Sequence, residues 1–432
     1  CWPLKTLDAV LNWSLPSDNN DWGPLVRPLV GRGINTTRAG PQCQHLGGAP
    51  YETWQRNEVP KTLYCHDMKG GYLDDRFVNG SGQHDAFRFS RWSGIDTFVY
   101  FSHSLVTIPP LGWINAGHTH GVPVLGTIIT EGAVGHDIWE RLLSNEDSIE
   151  MFCNNLVLIC VQYNFDGYLL NIENHIGQKE IFKLLSFVRL LKSMLNELKP
   201  GSTLLWYDSV ILPTGQLQWQ NKLNDRNKLF FDACDGIFLN YVWNDNDLIE
   251  SKYNAGNRPF DVYVGIDVFG RGCLGNGGFN TCVAVEAARK LKLSVALFAP
   301  GWVHEKQSPD DPFIARELKF WRLISNYLYL SGPSTLPLST SFCQGYGLAV
   351  YRDGLVISQK PWYNLSRQNY QPTDLTGYEG CDSPPVCLLH SIRDAFEGGG
   401  CLIVTSCSNQ PQITRYVISV HNSVVLDGAS NY

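Results

Sequence analysis

Short, nearly continuous apolar runs alternate along the chain with longer segments whose apolar residues recur at helical spacing. The eight runs are LYCHD (63–67), TFVYFSH (97–103), VPVLGTIIT (122–130), GYLLNIE (167–173), TLLWYDS (203–209), GIFLNYVW (236–243), VYVGIDVF (262–269) and SVALFAP (294–300). Continuous apolar character predicts parallel strands that are covered on both faces. Helical patterns separate them, as in 145–163, 180–200 and 281–293. Together they predict an α/β fold, a (β/α)8 TIM barrel over residues 61–332.

The segments on either side of the predicted barrel have other patterns. Residues 1–60 are irregular, and we expect them to form an N-terminal segment packed on the barrel. The Ser/Pro-rich stretch SGPSTLPLSTS (331–341) predicts a linker. Residues 333–432 contain short strand patterns with turn signals and predict a β-sandwich domain. We expect this sandwich to be truncated, because the chain stops soon after a strand pattern.

Polar residues collect where the predicted strands end. In a barrel of this kind the reacting groups lie at the C-terminal ends of the strands. The polar residues at these ends are His66, Asp67, Ser102, His103, Thr130, Glu131, Asn171, Glu173, Tyr207, Asp208, Asn240, Trp243 and Asp267. The barrel mouth is therefore the predicted site.

Charge and hydropathy narrow the class of partner. The formal net charge is -7, and the chain has no long Lys/Arg run, which argues against nucleic acid or an anionic membrane as a partner. No stretch reaches the length of about 18 apolar residues that a membrane span requires. A neutral substrate fits this composition best.

The cysteine pattern bears on the compartment. The 13 Cys are dispersed and include no C-x-x-C pair, which favours reduced thiols in a cytoplasmic protein over a disulfide framework. Four N-x-S/T sequons, at Asn12, Asn35, Asn79 and Asn364, favour a secreted protein more weakly. We therefore expect a cytoplasmic location.

The stretch FDGYLLNIEN (165–174) places an amide and a carboxyl at the end of one strand. Side chains alternate along a strand, so Asn171 and Glu173 share a face, about 6 to 7 Å apart along the backbone. A sheltered carboxylic acid with a raised pKa can protonate a leaving oxygen at neutral pH, which makes Glu173 a candidate general acid/base. The alternative is that both residues cap the strand and meet solvent.

The residue beside this acid is an amide, where many glycosidases have a second carboxylate. An amide cannot attack an anomeric carbon. It can orient an N-acetyl group whose own carbonyl oxygen attacks instead, which is substrate-assisted catalysis. On this hypothesis the substrate carries a 2-acetamido sugar, and Asn171 stabilises an oxazolinium-like intermediate.

Several stretches resemble glycoside hydrolase family 85, the endo-β-N-acetylglucosaminidases, and most of all its animal cytosolic members. The stretches are FDGYLLNIEN, CHDMKGGYLDDRF (65–77), FVYFSHSLVTIPPLGW (98–113), LWYDSV (205–210) and DVYVGIDVFGRG (261–272). The resemblance implies retaining cleavage of the β-1,4 bond between the two GlcNAc residues of the N-glycan core. N-glycans or free oligosaccharides of that type would be the partners.

The resemblance also assigns roles to residues. It implies that Asn171 orients the acetamide and Glu173 is the acid/base. It further implies that Tyr207 bonds the acetamide oxygen or the oxazoline, and that Trp219 and Trp243 line the glycan site. Asp208, His66 and Asn240 complete the candidate substrate contacts from their places at strand ends. One departure is Tyr168, where many members have Trp, and we expect it to face away from the pocket.

Two other motifs do not favour a cofactor or a metal. GRGCLG, from Gly270, matches G-x-G-x-x-G, but the helical pattern starts only near residue 281, so a dinucleotide site is not expected. GHTHG (117–121) precedes the third strand and reads as a helix end. Two alternatives to the endoglycosidase stay open: a chitinase-like hydrolase of GlcNAc polymers, and a non-catalytic glycan-binding protein.

Overall fold

The structure, a computed structural model, describes residues 1–17, 21–38, 53–334, 339–371, 386–406, 416–418 and 424–426. The helices are α1 (Leu7–Leu11), α2 (Leu111–Thr119), α3 (Gly132–Leu143), α4 (Glu146–Gln162), α5 (Ile181–Leu198), α6 (Lys228–Ala233), α7 (Asp245–Ala255), α8 (Thr281–Lys290), α9 (Trp302–Glu305) and α10 (Phe313–Ile324). The strands before the barrel closes are β1 (Arg32–Arg38), β2 (Thr53–Gln55), β3 (Thr62–His66), β4 (Thr97–Tyr100), β5 (Val106–Thr107), β6 (Val124–Glu131), β7 (Gly167–Glu173), β8 (Thr203–Tyr207), β9 (Gly236–Phe238), β10 (Val262–Asp267) and β11 (Ser294–Phe298). They are followed by β12 (Tyr329–Pro333), β13 (Tyr346–Gly347), β14 (Val350–Arg352), β15 (Leu355–Ser358), β16 (Trp362–Tyr363), β17 (Val386–Ser391), β18 (Cys401–Ser406), β19 (Tyr416–Ile418) and β20 (Val424–Leu426).

Eight parallel strands close into a barrel, which confirms the predicted fold. The order around the ring is β3, β4, β6, β7, β8, β9, β10 and β11, and β11 pairs with β3. The short strand β5 pairs antiparallel with β6 at its C-terminal end. Each of the eight predicted runs supplies one barrel strand. The strand formed by the run at 236–243 ends early, at Phe238, and Asn240 beyond it bonds the Asn221 side chain.

The barrel wall separates two apolar cores. Inside the barrel, Leu63, Leu125, Leu169, Leu205 and other residues from alternate strand positions fill the interior. Outside, the intervening positions pack against the helices in a much larger core. Trp206 belongs to the outer core, stacked on Phe230 at 3.9 Å between ring centroids, as expected from its place on the strand. A side chain at an inner position can therefore take part in the site only if it lies past the last apolar layer, towards the C-terminal ends of the strands.

The N-terminal strand β1 joins the barrel to the chain that follows it. It pairs antiparallel with both β2 and β12, and Arg32 lies opposite Pro333. The prediction of a linker from residue 331 is therefore wrong for 331–333, because the backbone there is used in a sheet. Residues 335–338 of that predicted linker lie outside the described residues.

The C-terminal part that the structure describes consists of two-stranded antiparallel sheets. The pairs are β13 with β16, β14 with β15, β17 with β18, and β19 with β20. Its first half contacts the barrel: Tyr363 donates to the Phe87 carbonyl at 2.7 Å, and Gln368 accepts from the Trp92 indole at 2.6 Å. The predicted sandwich falls partly on 372–385 and on stretches after 406 that lie outside the described residues. The sandwich and the domain boundaries remain predictions.

We predict that Gly265→Ala destabilises the barrel. A Cβ at Gly265, on the inner side of β10, would overlap the carbonyl oxygen of Leu239. Overpacking of this kind costs about 1 to 3 kcal/mol, which thermal or denaturant unfolding would detect. Gly82→Ala is the control, because its Cβ would meet only the Pro361 oxygen at 3.9 Å. Equal stability of the two variants would contradict the close approach of β9 and β10.

Candidate active site

The alternation along β7 determines which of its side chains reach the mouth of the barrel. Leu169 lies in the inner core, whereas Leu170 and Ile172 lie in the outer one. Asn171 and Glu173 continue the inner row above Leu169. Tyr168 faces outward and donates to the Leu156 carbonyl at 2.7 Å, so its departure from the family pattern does not touch the mouth, as expected.

The Asn171 and Glu173 side chains are hydrogen-bonded to each other. Asn171 Nδ2 donates to Glu173 Oε2 at 3.1 Å, and the Trp219 indole donates to the other carboxyl oxygen at 3.1 Å. Burial raises the pKa of Glu173, and this effect exceeds the opposing effect of the two donors. The arrangement therefore favours a protonated carboxyl at a higher pH than usual, while the amide oxygen of Asn171 is still available to a ligand.

Tyr207 and Asn240 form one hydrogen-bonded unit on the next two strands. The Tyr207 hydroxyl lies in the barrel interior and donates to Asn240 Oδ1 at 2.8 Å. Asn240 Nδ2 in turn donates to Asn221 Oδ1 at 2.8 Å. The structure thus brings Tyr207 to the mouth and gives Asn240 the role of holding it.

Asp208 organises the loop after β8 and does not face the mouth. Its fully buried carboxylate accepts from the backbone N–H groups of Gln220 at 3.0 Å and Asn221 at 2.7 Å, and from Asn227 Nδ2 at 3.0 Å. Burial raises the pKa of Asp208 to about 6 despite these donors. The structure therefore places Asp208 under the loop that carries Trp219, and its expected contact with the substrate stays a prediction.

The two predicted aromatic platforms differ in exposure. Trp219 is 42% exposed at the mouth, as a stacking surface requires. Trp243 is only 6% exposed, packs in the outer core, and donates its indole N–H to the Gly265 carbonyl at 2.8 Å. The expectation that Trp243 lines the glycan site stays a prediction. The structure gives Trp243 a packing role between β9 and β10.

His66 lies on the other side of the barrel wall from the candidate site. Its ring stacks on Phe87 at 5.0 Å and contacts Trp113, and burial lowers its pKa to about 3. It borders a separate cavity of about 200 Å³ beside Asp75. The inner positions of β3 are Leu63 and Cys65, so the structure does not bring His66 together with Asn171 and Glu173. Its expected contact with the substrate stays a prediction.

Three more charged or titratable residues, Glu131, His103 and Asp67, continue from Glu173 along the strand ends. Glu131 stands opposite Glu173 in the register of β6 and β7. His103 Nδ1 lies 3.3 Å from Glu131 Oε2, and His103 Nε2 lies 3.9 Å from Asp67 Oδ2. From their positions at strand ends, the sequence predicts Asp67 and His103 as supporting groups or sugar hydroxyl binders, and it gives Glu131 no role. The structure adds them to the candidate site.

The predicted helix end at His118 and His120 is confirmed. His118 lies in the last turn of α2 and bonds Asp166 at 2.7 Å, away from the barrel mouth. In the part of the chain that the structure describes, no cluster of three or more His, Cys, Asp or Glu side chains has the spacing of a metal site. None of the described helices is both long and apolar enough to cross a membrane.

A sheltered carboxyl, a paired amide and an exposed indole at the C-terminal mouth of a (β/α)8 barrel are features of a glycoside hydrolase. The family model for glycosyl hydrolase family 85 matches residues 72–350, a span that includes all of these groups. The chain belongs to glycosyl hydrolase family 85, which confirms the resemblance found in the sequence.

The chain is similar to several curated proteins over most of its length. A cytosolic endo-beta-N-acetylglucosaminidase of Gallus gallus is 46% identical over 402 residues, which cover 93% of this chain and 52% of the relative. The Homo sapiens protein of that name is 45% identical over 403 residues, covering 93% and 51%. The chain thus spans about half the length of these relatives.

One solved structure has the same fold. The glycoside hydrolase domain of Endo-D from Streptococcus pneumoniae R6 superposes with a TM-score of 0.71 at 22% identity, covering 93% of this chain and 66% of that one. At this identity the likeness concerns the fold alone. It supports the closed barrel with its C-terminal sheets.

We predict that Asp208→Ala loosens the loop that carries Trp219. The backbone N–H groups of Gln220 and Asn221 would lose their acceptor, at a cost of about 1 to 3 kcal/mol for each unsatisfied group. Hydrogen–deuterium exchange at 219–222 should then accelerate by about tenfold or more. Asp232→Ala, on the exposed side of α6, is the control and should leave that exchange unchanged. Unchanged exchange in Asp208→Ala would contradict the anchoring role.

Proposed function

We propose that this chain is an endo-β-N-acetylglucosaminidase that hydrolyses the β-1,4 bond between the two GlcNAc residues of the N-glycan core. The observation that carries the proposal is the hydrogen-bonded Asn171 and Glu173 pair at the barrel mouth. The family and the names of the relatives from Gallus gallus and Homo sapiens support the same reaction.

In the proposed mechanism the acetamide of the substrate is the nucleophile. Its carbonyl oxygen attacks the anomeric carbon as the bond to the leaving oxygen breaks, and Glu173 gives its proton to that oxygen. An oxazolinium ion forms. Glu173, now a carboxylate, then takes a proton from the water that opens this ring, so the configuration is retained after two inversions.

Asn171 supports this chemistry through the oxygen of its amide. Because Nδ2 is already donated to Glu173, Oδ1 is the group that would accept the acetamide N–H. That contact strengthens as positive charge develops on the acetamide nitrogen, so it favours the transition state over the bound substrate. The same hydrogen bond between the two side chains fixes the amide relative to the acid.

Tyr207 and Trp219 complete the proposed sugar site. The Tyr207 hydroxyl would turn from Asn240 toward the acetamide oxygen, and Asn240 would return it to position when the product leaves. The exposed face of Trp219 would stack on a sugar ring while its N–H holds Glu173. Because of this hydrogen bond, Glu173 and the Trp219 ring would move together.

We further propose a cytoplasmic location, with N-glycans or free oligosaccharides of the N-glycan type as partners. Support comes from the names of the relatives and from the thiols. Nine cysteines whose side chains the structure describes are unpaired, and six of these nine are buried, including Cys65, Cys153 and Cys160. Reduced thiols of this kind are typical of a reducing compartment.

We predict that the wild-type chain removes the glycan from a Man9-type glycopeptide and leaves one GlcNAc on the peptide. Mass spectrometry identifies that product directly. Glu173→Gln cannot donate the proton and should lower the rate by about two orders of magnitude or more. Glu140→Gln, an exposed position on α3, is the matched control and should retain the wild-type rate.

Other outcomes of this experiment would contradict the proposal. Cleavage of mannose-free chitin oligomers in preference to the glycopeptide would indicate a chitinase-like hydrolase. Binding of the glycopeptide by the folded wild-type chain without any turnover would indicate a glycan-binding protein. A product carrying no GlcNAc on the peptide would place the cut at another bond.

We predict that Asn171→Ala separates the two halves of the reaction. The variant should hydrolyse the natural glycan at least about a hundredfold more slowly, because an oriented acetamide is needed to form the oxazolinium ion. It should still transfer a preformed sugar oxazoline to a GlcNAc acceptor, as chromatography of the products would show. Hydrolysis of the natural glycan at the wild-type rate would show that the role assigned to Asn171 is wrong.

A further inference from the structure

Four ionisable side chains follow one another around one arc of the barrel mouth. They are contributed by the chain just after β3 (Asp67), the chain just after β4 (His103), the last residue of β6 (Glu131) and the last residue of β7 (Glu173). These strands are neighbours in the ring, in this order. The residues two positions earlier on the chain, Cys65, Phe101, Ile129 and Asn171, are buried at the inner side of the wall. The row is therefore the first ionisable layer above the barrel core.

The distances show that His103 stands between two carboxylates. Its Nδ1 lies 3.3 Å from Glu131 and its Nε2 3.9 Å from Asp67. Both His103 and Glu131 have side chains that are about half exposed, at 52% and 49%. The ring is held from one side by an edge contact with Phe101 at 5.6 Å.

Asp67 is held in the row by an unusual turn. The four residues Lys69, Gly70, Gly71 and Tyr72 all have positive φ, between 50° and 79°. For Lys69 and Tyr72 this conformation is strained, and strain of this kind persists where the surroundings fix it. Tyr72 is fixed on both sides, since its N–H donates to the Tyr100 hydroxyl at 2.6 Å and its own hydroxyl bonds Ile108. The turn keeps the Asp67 carboxylate within reach of His103.

We propose that His103 and Glu131 are positioning residues that set, through their opposite charges, the pH at which Glu173 carries its proton. The inference rests on the proposed function of Glu173 as the acid. Glu131 is the carboxylate next to Glu173, and its negative charge favours the protonated form of Glu173. His103, when protonated, offsets that charge and favours the carboxylate form.

The pKa shifts agree in direction with this geometry. A hydrogen bond with Glu131 is the largest cause that raises the pKa of His103, and the same bond lowers the pKa of Glu131. Burial is the largest cause that raises the pKa of Glu173, with Glu131 raising it further and His103 lowering it. Burial thus makes a constant contribution to the pKa of Glu173, and the row adds a contribution that changes with the charge of His103.

Other charged or titratable groups lie at or just after the ends of the barrel strands, and two of them, Tyr207 and Tyr241, interact electrostatically with Glu173. These groups are Asp67 after β3, Tyr207 at the end of β8, Asp208 after β8, Tyr241 after β9, and Asp267 with its ion-pair partner Arg271 at β10. Burial raises the pKa values of Tyr207 and Tyr241 well above their usual range, so these groups stay neutral. Arg271 pairs with Asp267 at 2.7 Å. Burial also raises the pKa of Asp208, to about 6, but its carboxylate is turned to the loop after β8. Of the groups in the row itself, His103 is the one whose ordinary pKa lies closest to neutral.

The sign of the effect follows from the charges. Below the raised pKa of His103, the imidazolium offsets Glu131. As the pH rises through that pKa the offset is lost, and the proton on Glu173 becomes harder to remove. The row would therefore keep Glu173 protonated to a higher pH than a pair of opposite charges that did not change with pH.

The test is a ¹³C NMR titration of the Glu173 carboxyl, assigned by the signal that Glu173→Gln removes, and it needs no turnover. His103→Gln should raise the pKa of Glu173 by about half a pH unit, and Glu131→Gln should lower it by about the same amount. The double variant should return close to the wild-type value. Glu140→Gln on α3 should leave the titration unchanged.

Opposite shifts in the two single variants separate a charge effect from a structural one, because loosening of the mouth would move both in the same direction. Shifts of the same sign, or none in either variant, would overturn the proposal. The high-pH limb of kcat/KM for glycopeptide cleavage should follow the same pattern. Opposite shifts in the titration with no cleavage by the folded wild-type chain would refute the proposed function and leave the coupling intact.

Discussion

Side-chain alternation on a closed barrel is the constraint on which the candidate site depends. In β7 it sends Leu169 into the apolar interior and leaves Asn171 and Glu173 as the next two inner positions. Closure of the ring means that these groups have only one outlet, the C-terminal mouth. A shift of one residue in the register would exchange them with Leu170 and Ile172, which pack outside the wall.

Burial and hydrogen bonding have different effects on the groups around Asn171 and Glu173. Burial raises the pKa of Glu173, and the donors Asn171 and Trp219 fix its orientation without cancelling that effect. The carboxylate of Asp208 is used entirely for the loop that brings Trp219 to the acid. Thus the buried Asp208 carboxylate supports the loop of Trp219, while the half-buried Glu173 carboxyl is free to exchange a proton.

Much of the fold could be predicted from the sequence, because covered parallel strands require continuous apolar runs and eight such runs are present. The Asn171 and Glu173 pair was also predictable, because residues two positions apart on a strand lie on the same face. The paired strand at 331–333 was not predictable. Its partner β1 lies about 300 residues earlier, and Ser/Pro composition reports only local preference.

The surroundings that the structure gives His66, Asp208 and Trp243 could not be predicted from the sequence, for a shared physical reason. In a strand that is apolar on both faces, the sequence does not say which alternate set faces inward, and in β3 the inner set is Leu63 and Cys65. Beyond a strand end the periodicity is lost, so nothing local predicted that Asp208 would turn to the loop or that Trp243 would bond Gly265. Tertiary contacts decided these positions.

The central claim is that the substrate's own acetamide supplies the nucleophile beside Glu173. The most direct measurement is the cleavage rate for a series of core glycans whose reacting N-acetyl group carries no, one, two or three fluorine atoms. Fluorine withdraws electrons from the carbonyl oxygen, so acetamide participation predicts a rate that falls with each added fluorine. A rate that does not change along the series, with Glu173 still required, would contradict the account.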